Sequence, residues 1–500
     1  MKKLLLFLAL STALHAAPEP VRFDFQSIQV PPNIDPQVGG VAVLPDGKVV
    51  TVFHRGEVMI YDPAAKTWSR FAEGLHEPLG ILVESPSSFL IMQRPELTRV
   101  KDTNGDGVAD EYETVFDDFG ISGNYHEFAF GPVKDKDGSL YIALNLASQF
   151  AGVRPEIRGT FTDIGELDRK GMTQDKEWSK RSEKAGRMYS RVNWRGWVLK
   201  LSPDGKQMEP FASGFRSPDG IGFDADGNLL VTDNEGDWRG TSPLYIAKAG
   251  GFYGNPASLV WRKGWDKGDP LKVPLEELQK MRTMETGRFP QGFLANSPTE
   301  PAIFPKSWGP YAGQVVLGEM NQNRMVRYLP DDVAGFRQST LIPMFDDTEL
   351  GSGNHRVAFG PDGAMWVGKT HLSWAGAEGL VKVTPKDAEK IFTVVSCHVV
   401  KAAKGQEMHI RVSQPIGAQL PKIAVERYDY LYHRDYGSDQ VGKAEVPVGN
   451  AIVSADGLEI TLPMEMKEGF IHQVDLTPLV SKTGSPLEGK LLYYQATKLP

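Results

Sequence analysis

The sequence predicts an all-β fold: a six-bladed β-propeller followed by a small C-terminal β-sandwich-like domain. Three observations carry that expectation. A two-strand pattern recurs six times, glycine and proline are abundant at 52 and 35 residues, and a single cysteine, Cys397, leaves no disulfide framework to hold a smaller scaffold together. The copies begin at Gly39 (GGVAVLPDGKVVTV), Pro78 (PLGILVESPSSFLIM), His126 (HEFAFGPVKDKDGSLYIALN), Pro218 (PDGIGFDADGNLLVTDN), Tyr311 (a degenerate YAGQVVLGEMNQNRMVRY) and His355 (HRVAFGPDGAMWVGKT). Most pair two alternating apolar runs around Asp-Gly or an equivalent tight turn, where a left-handed backbone costs little. A third strand flanks several copies, as in GEVMIYDP, GWVLKLSP and GLVKVTP. No single copy can bury both faces of so small a sheet, so neighbours must stack, and radial closure is the usual solution for units of about four strands.

The copies are unevenly spaced, which places long insertions at Arg154 to Arg195 and at Trp261 to Glu300, the second with a predicted helix over Leu271 to Met284. Insertions on one rim of a rigid scaffold either wall a binding site or decorate the surface. After Pro385 the repeat stops, and EMHIRVSQPI, KIAVERYDYLY, LEITLPM and GFIHQVDL alternate as strands of a separate β-rich unit. The expected boundaries are 1–17 for an export signal, 18–388 for the propeller and 389–500 for the C-terminal domain.

The composition excludes several function classes. A chain of 500 residues with a net charge of −8 has no electrostatic reason to bind nucleic acid, and without Cys-x-x-Cys-His it carries no c-type haem. Met1-Lys2-Lys3, the apolar run Leu4 to Leu14 and then His15-Ala16-Ala17-Pro18 read as a secretory signal. The run is far shorter than the roughly 20 residues a spanning helix needs. The expected location is therefore periplasmic or extracellular, with no transmembrane anchor.

Three clusters offer chemistry. In DTNGDGVADEYE, Asp102, Asn104, Asp106, the Val108 carbonyl, Asp110 and Glu113 follow the spacing of a calcium loop, with Gly107 at the bend. Such hard oxygen donors suit Ca2+ at about 2.3–2.6 Å. In SGNYHEFAFGP, Gly123, Asn124, His126 and Glu127 precede a predicted innermost strand, whose entrance in a propeller lies at one end of the central channel. His126 there is a candidate general base if its pKa lies near neutrality, or else a satisfied structural histidine. Arg216-Ser217-Pro218-Asp219 and Asn354-His355-Arg356 stand at the same point of other copies, so either a ligand or ordered channel water meets three polar strand entrances. In TDNEGDWRGTSPLY, Asp233, Asn234, Glu235, Gly236 and Asp237 leave a strand as an acidic loop suited to a metal. Trp238 and Arg239 beside it suit a planar or sugar ligand. Gln93, Arg94, His371 and Trp374 would join the same rim.

The segments GFRSPDGIGF, LLVTDNEGD and GGFYGNP resemble the corresponding stretch of soluble, pyrroloquinoline quinone (PQQ)-dependent glucose and aldose sugar dehydrogenases. HEFAFGPVKDKDGSLYIALN is similar to the strand that follows the catalytic histidine of those enzymes. A wider resemblance, including RPELTRVKDTNGDGVADEYETV and the ending LLYYQATKLP, is to secreted propeller proteins of planctomycetes and verrucomicrobia named membrane-bound or L-sorbosone-type dehydrogenases. The resemblance implies PQQ and calcium as cofactors. It implies Arg216 against the quinone, with Ser217 where the family has asparagine, backbone carbonyls of Glu235-Gly236-Asp237 on an active-site calcium, and His126 as the base. His126 stands closer to its strand than the glucose enzymes' histidine does.

The resulting expectation is a dehydrogenase that oxidises a hydroxyl or lactol of a carbohydrate and passes electrons to a separate acceptor. Catalysis would rest on His126, Arg216 and Glu127. Gln93, Arg94, Arg216, Ser217, Asp219, Trp238, Arg239, His355 and Arg356 would bind cofactor or ligand. The alternatives are a cofactor-free glycan lyase or hydrolase using His126, Glu127 and His355, and a non-catalytic carbohydrate-binding propeller.

Overall fold

Asp-Gly hairpins and alternating apolar residues build four-stranded antiparallel sheets in a computed structural model that describes residues 22–148, 154–162, 188–371, 376–417, 420 and 422–500. The export signal, Trp374 and much of the first insertion lie outside the described residues. Sheet I comprises Val38–Val43, Val49–Phe53, Val58–Asp62 and Thr67–Ala72; sheet II comprises Ile81–Ser85, Ser88–Met92, Leu97–Lys101 and Glu111–Phe116. Sheet III holds Ala129–Lys134, Leu140–Leu144, Trp197–Leu201 and Met208–Ser213. Sheet IV holds Gly220–Phe223, Leu229–Thr232, Ser242–Ala247 and Gly287–Phe289. Sheets V (Pro298–Ile303, Val315–Glu319, Met325–Val333, Phe336–Met344) and VI (Asn354–Phe359, Met365–Lys369, Gly379–Pro385) are joined by the bridge between Glu319 and Asn354. Phe23–Ile28 completes sheet VI by pairing with Gly379–Pro385, so the two ends of the ring are held in one ladder.

The first strand of each sheet packs on the first strand of the next, and that of sheet VI on that of sheet I. This cyclic stacking is a β-propeller arrangement. Apolar clusters fill the wedges, with Val50, Phe71, Phe89 and Val100 between I and II and Phe215, Ile221, Val231 and Tyr245 between III and IV. Burying each such side chain contributes roughly 1.5–3 kcal/mol. The first strands converge so closely that a Cβ on Gly80 would lie 1.8 Å from the Gly131 carbonyl oxygen, which restricts that position to glycine.

Two local expectations are corrected. The degenerate copy at Tyr311 supplies the second and third strands of sheet V; its first strand, Pro298–Ile303, lies at the edge of the stretch read as an insertion. Pro298 and Pro301 hide it, because proline cannot donate to a ladder. The helix predicted over Leu271 to Met284 is shorter, Leu275–Met281, since Pro270 opens a separate 3-10 turn and Pro274 caps the helix proper.

Beyond Pro385, Val394–Lys401, Gln406–Val412, Glu459–Met464 and Ile452–Val453 form one sheet. Leu491–Gln495, Ile471–Asp475, Ala424–Asp429 and Val441–Glu445 extend sheet V outward, Thr340 pairing with Tyr494 and Leu341 with Tyr493. Cys397, Met408, Ile410, Leu462, Val474 and Leu492 cluster in the core of this region, together with Leu329 and Ile342 of sheet V. Burial pushes the Cys397 thiol up to about 12, making it a core residue without nucleophilic character. No helix among the described residues is long and apolar enough to cross a membrane.

Candidate functional site

In an antiparallel sheet the entrance of the first strand and the exit of the second share one end, so these short segments from successive sheets converge around the axis. There they line a cavity of 200 Å3 that brings together His126, Arg216, Ser217, Asp219 and Glu235. Asn145, Asn234, Gln291, Asn296 and Asn321 add amides to its wall, and Tyr436 reaches it from the region beyond the propeller.

His126 is held in one orientation. Its backbone N–H donates to Asn124 Oδ1 at 3.0 Å, and Nδ1 lies 2.8 Å from the Leu146 carbonyl, which fixes Nδ1 as the protonated nitrogen and leaves Nε2 as the acceptor. Arg195, wholly buried, fastens the same segment by donating to the carbonyls of Gly120, Glu127 and Phe128. Burial, with the nearby charge of Arg216, lowers the His126 pKa to about 3. The imidazole is therefore neutral at physiological pH, and the same effects make its Nε2 weakly basic.

Arg216 is buried at 6% exposure and has no carboxylate within ion-pair distance among the described residues. Its backbone N–H donates to Asp233, one terminal nitrogen lies 3.4 Å from the Tyr436 hydroxyl, and the guanidinium sits 5.3 Å from the Tyr436 ring centre. Its Nε finds no partner. Gly236 makes room for it, since a Cβ there would lie 1.9 Å from Arg216 Nε. Burial raises the Glu235 pKa against the opposing pull of Arg216.

Four buried polar atoms around this one cavity lack partners: Arg216 Nε, Asn145 Oδ1, Asn234 Oδ1 and Gln291 Oε1. Their convergence makes this wall a candidate ligand site. One donor and three acceptors, with the bare Nε2 of His126, match a molecule that carries both carbonyl oxygens and hydroxyls.

Other expected residues are engaged elsewhere. Asp219 lines the cavity, but its carboxylate accepts from His355 Nε2 at 3.0 Å and faces Arg356 at 3.4 Å; burial raises its pKa, and His355 with Arg356 outweighs that and holds it below the ordinary range. His355 also contacts the Val38 carbonyl, and Arg356 donates to the carbonyls of Gly39, Leu79 and His355. Both tie first strands together and keep no group for a cofactor. Glu127 accepts from the Ser122 N–H and the Ser190 hydroxyl, each at 2.6 Å, and so anchors a loop. Gln93 accepts from the His76 N–H and donates to Thr98, while Arg94 pairs with Glu77. Trp238 packs on Tyr432, and Arg239 pairs with Asp233 at 3.3 Å beneath the loop. His371 pairs with Glu378 at 3.5 Å.

Among the described residues, no three His, Cys, Asp or Glu side chains gather as a metal site. In the sequence-predicted calcium loop, Asp102, Asn104 and Asp106 accept from the loop's own N–H groups, Asp110 accepts from Thr103, and Val108 is exposed. Glu113, which would close the cage, pairs with Arg99. At the 235–237 loop, the Gly236 carbonyl accepts from the N–H groups of Arg239 and Gly437, and the Asp237 carboxylate accepts from the Met188 N–H. In both loops part of the oxygen set is thus spent on N–H groups of the chain itself.

Sequence reasoning missed Asn145, Gln291, Asn296, Asn321 and Tyr436. Asn145 follows YIAL directly, so the same second-strand-exit rule that singled out Asn234 would have found it. Tyr436 had no local signal, because only the docking of the C-terminal region brings it to the axis.

A family model described as a domain of unknown function, DUF7133, matches residues 61–194. No curated protein matches the chain. Among solved structures, the PQQ-bound aldose sugar dehydrogenase of Streptomyces coelicolor is similar at 15% identity over 74% of this chain and 100% of its own, with a TM-score of 0.45. The soluble aldose sugar dehydrogenase of Escherichia coli in the apo form is 14% identical over 73% of this chain and 100% of its own, at 0.45. The holo PQQ domain of pyranose dehydrogenase from Coprinopsis cinerea is 11% identical over 73% and 98%, at 0.47.

Proposed function

We propose that the chain is a six-bladed propeller over 18–388 with a C-terminal β domain over 389–500, exported to the periplasm or beyond. In this reading its axial cavity oxidises a carbohydrate hydroxyl or lactol in the manner of quinoprotein sugar dehydrogenases. The observation that carries the reading is the set of four unpartnered polar atoms around Arg216 and His126. Amide oxygens of Asn145, Asn234 and Gln291 suit sugar hydroxyl donors. The uncompensated guanidinium of Arg216 suits the carbonyl or carboxylate oxygens of PQQ, and Gly236 leaves the space that the guanidinium occupies. When bound, the quinone would supply the two-electron acceptor, from which a separate carrier takes the electrons.

The chain's own residues would do the rest. His126 Nε2 accepts the proton of the substrate hydroxyl while Nδ1–H, held by Leu146, keeps the ring aimed. Arg216 orients an oxygen-bearing ring edge. In the 235–237 loop the Gly236 carbonyl and the Asp237 carboxylate are engaged by N–H groups of the chain, and no step is assigned to a calcium ion there. The dispersal of Glu127 and His355 onto structural partners counts against a lyase or hydrolase built on those residues with His126.

The test is to add PQQ, with and without Ca2+, to the purified protein. Tight quinone absorbance that survives gel filtration and sugar-dependent dye reduction are expected. Absence of quinone binding at micromolar concentration would remove the reading. Saccharide binding without turnover, insensitive to His126→Ala, would favour a non-catalytic module.

A further inference from the structure

A second cavity, of 450 Å3, lies on the same rim at sheets I and II and is lined by Gln37, His54, Leu75, Glu77, Tyr125 and Phe128. Phe128 lines both this cavity and the axial one, so the two are neighbours across a single ring. We infer that this cavity is a second saccharide subsite, which takes the adjoining ring of an oligosaccharide whose reacting ring sits at His126. The inference rests on the reading of the axial cavity as a sugar site and names its substrate as an oligosaccharide.

Four observations converge. Tyr125, immediately before His126, is 44% exposed although it is aromatic, and its ring stands edge-on to the imidazole at 5.8 Å. An aromatic face beside hydrogen-bonding groups is what the apolar face of a pyranose packs against. His54 Nδ1 is buried without a partner among the described residues, and its Nε2 is 3.9 Å from Glu77 Oε1, too far for a hydrogen bond. This imidazole therefore has an unmet polar atom at the cavity wall. Glu77 holds φ of 44°, a left-handed conformation that a non-glycine residue keeps only when its surroundings impose it, and such strain clusters at ligand sites. Finally, the charges are balanced: Arg55 is paired with Asp35 at 3.0 Å and Arg94 with Glu77. Among the described residues both arginines beside the cavity are thus matched by carboxylates, an arrangement that suits a neutral polyhydroxylated ring.

Calorimetric titration of the full chain with glucose, cellobiose, maltose and lactose, with and without PQQ, tests the inference. At least one disaccharide is expected to bind about tenfold more tightly than glucose. Tyr125→Ala and His54→Ala should each bring that ratio to about one, and Tyr125→Phe should retain most of it. Equal affinity for glucose and all three disaccharides, a loss in Tyr125→Ala that is equal for mono- and disaccharide, or no saccharide binding would overturn it. Because the readout is binding, failure of PQQ-linked oxidation with the ratio intact would overturn the dehydrogenase reading and leave the subsite standing.

Discussion

Two histidine–arginine combinations meet the same axis, and they differ in what surrounds them. His355 and the adjacent Arg356 have the Asp219 carboxylate and the carbonyls of Val38, Gly39 and Leu79 as partners. His126 and Arg216, contributed by sheets III and IV, keep an open Nε2 and an orphaned Nε at a cavity. Burial lowers the pKa of both histidines, and the neighbouring arginine adds to the effect in each case; at His355 the Asp219 carboxylate pulls back. Residue type at a strand entrance is thus a poor guide to role. What separates a structural lock from a binding site is whether the protein itself satisfies the polar atoms.

The comparison breaks first at the lock. Arg356→Leu leaves Asp219 without its guanidinium partner and unties first strands, so thermal or urea unfolding should show a loss of about 3–5 kcal/mol. Arg216→Leu, which has no such partner, should leave stability nearly unchanged while abolishing ligand binding. Next comes His126→Gln, expected to lower turnover by about 10²–10⁴-fold in a dye-reduction assay. This variant also has a pH consequence. The folded-state pKa of about 3 lies below the unfolded value of 6.5, so the unfolded chain binds more protons between the two. The stability held by the neutral ring is complete above about pH 6.5 and is lost as pH falls toward 3. His126→Gln should therefore flatten the acid decline of the melting temperature. His472, lowered to about 4 by burial, contributes a second decline of the same sign, which His472→Gln should remove independently.

Gly236→Ala should cost about 100-fold in kcat/KM by displacing the guanidinium, with little change in melting temperature. The smallest effect belongs to Tyr436→Phe, which keeps the ring over Arg216 and removes only the 3.4 Å contact of its hydroxyl. A change in KM of about fivefold or less, without a change in kcat, is expected.

Much of this organisation is legible in the sequence, for a physical reason. Asp-Gly turns and period-2 alternation specify hairpins locally, and the strand-entrance rule then places His126, Arg216 and Asp219 at the axis. Rotamers and long-range partners are not written locally. Nothing in SGNYHEF tells that Glu127 turns to Ser122 and Ser190 while His126 faces the cavity, because Ser190 is far along the chain. The calcium-loop spacing in DTNGDGVADEYE is likewise compatible with a hairpin connection, since Asx-type bonds to backbone N–H groups use the same oxygens. Trp238 and Arg239 read as contacts for a planar or sugar ligand, yet tertiary packing buries both.

Leu491–Gln495 lies along the outer strand of sheet V, whose ladder thereby runs on into the C-terminal region. A protein cut after residue 388 would leave Thr340 and Leu341 without their ladder partners on a mostly buried strand, inviting self-association through that bare flank. The tail thus caps the outer edge of one blade, and attempts to crystallise or immobilise the ring alone should begin by supplying a substitute for it.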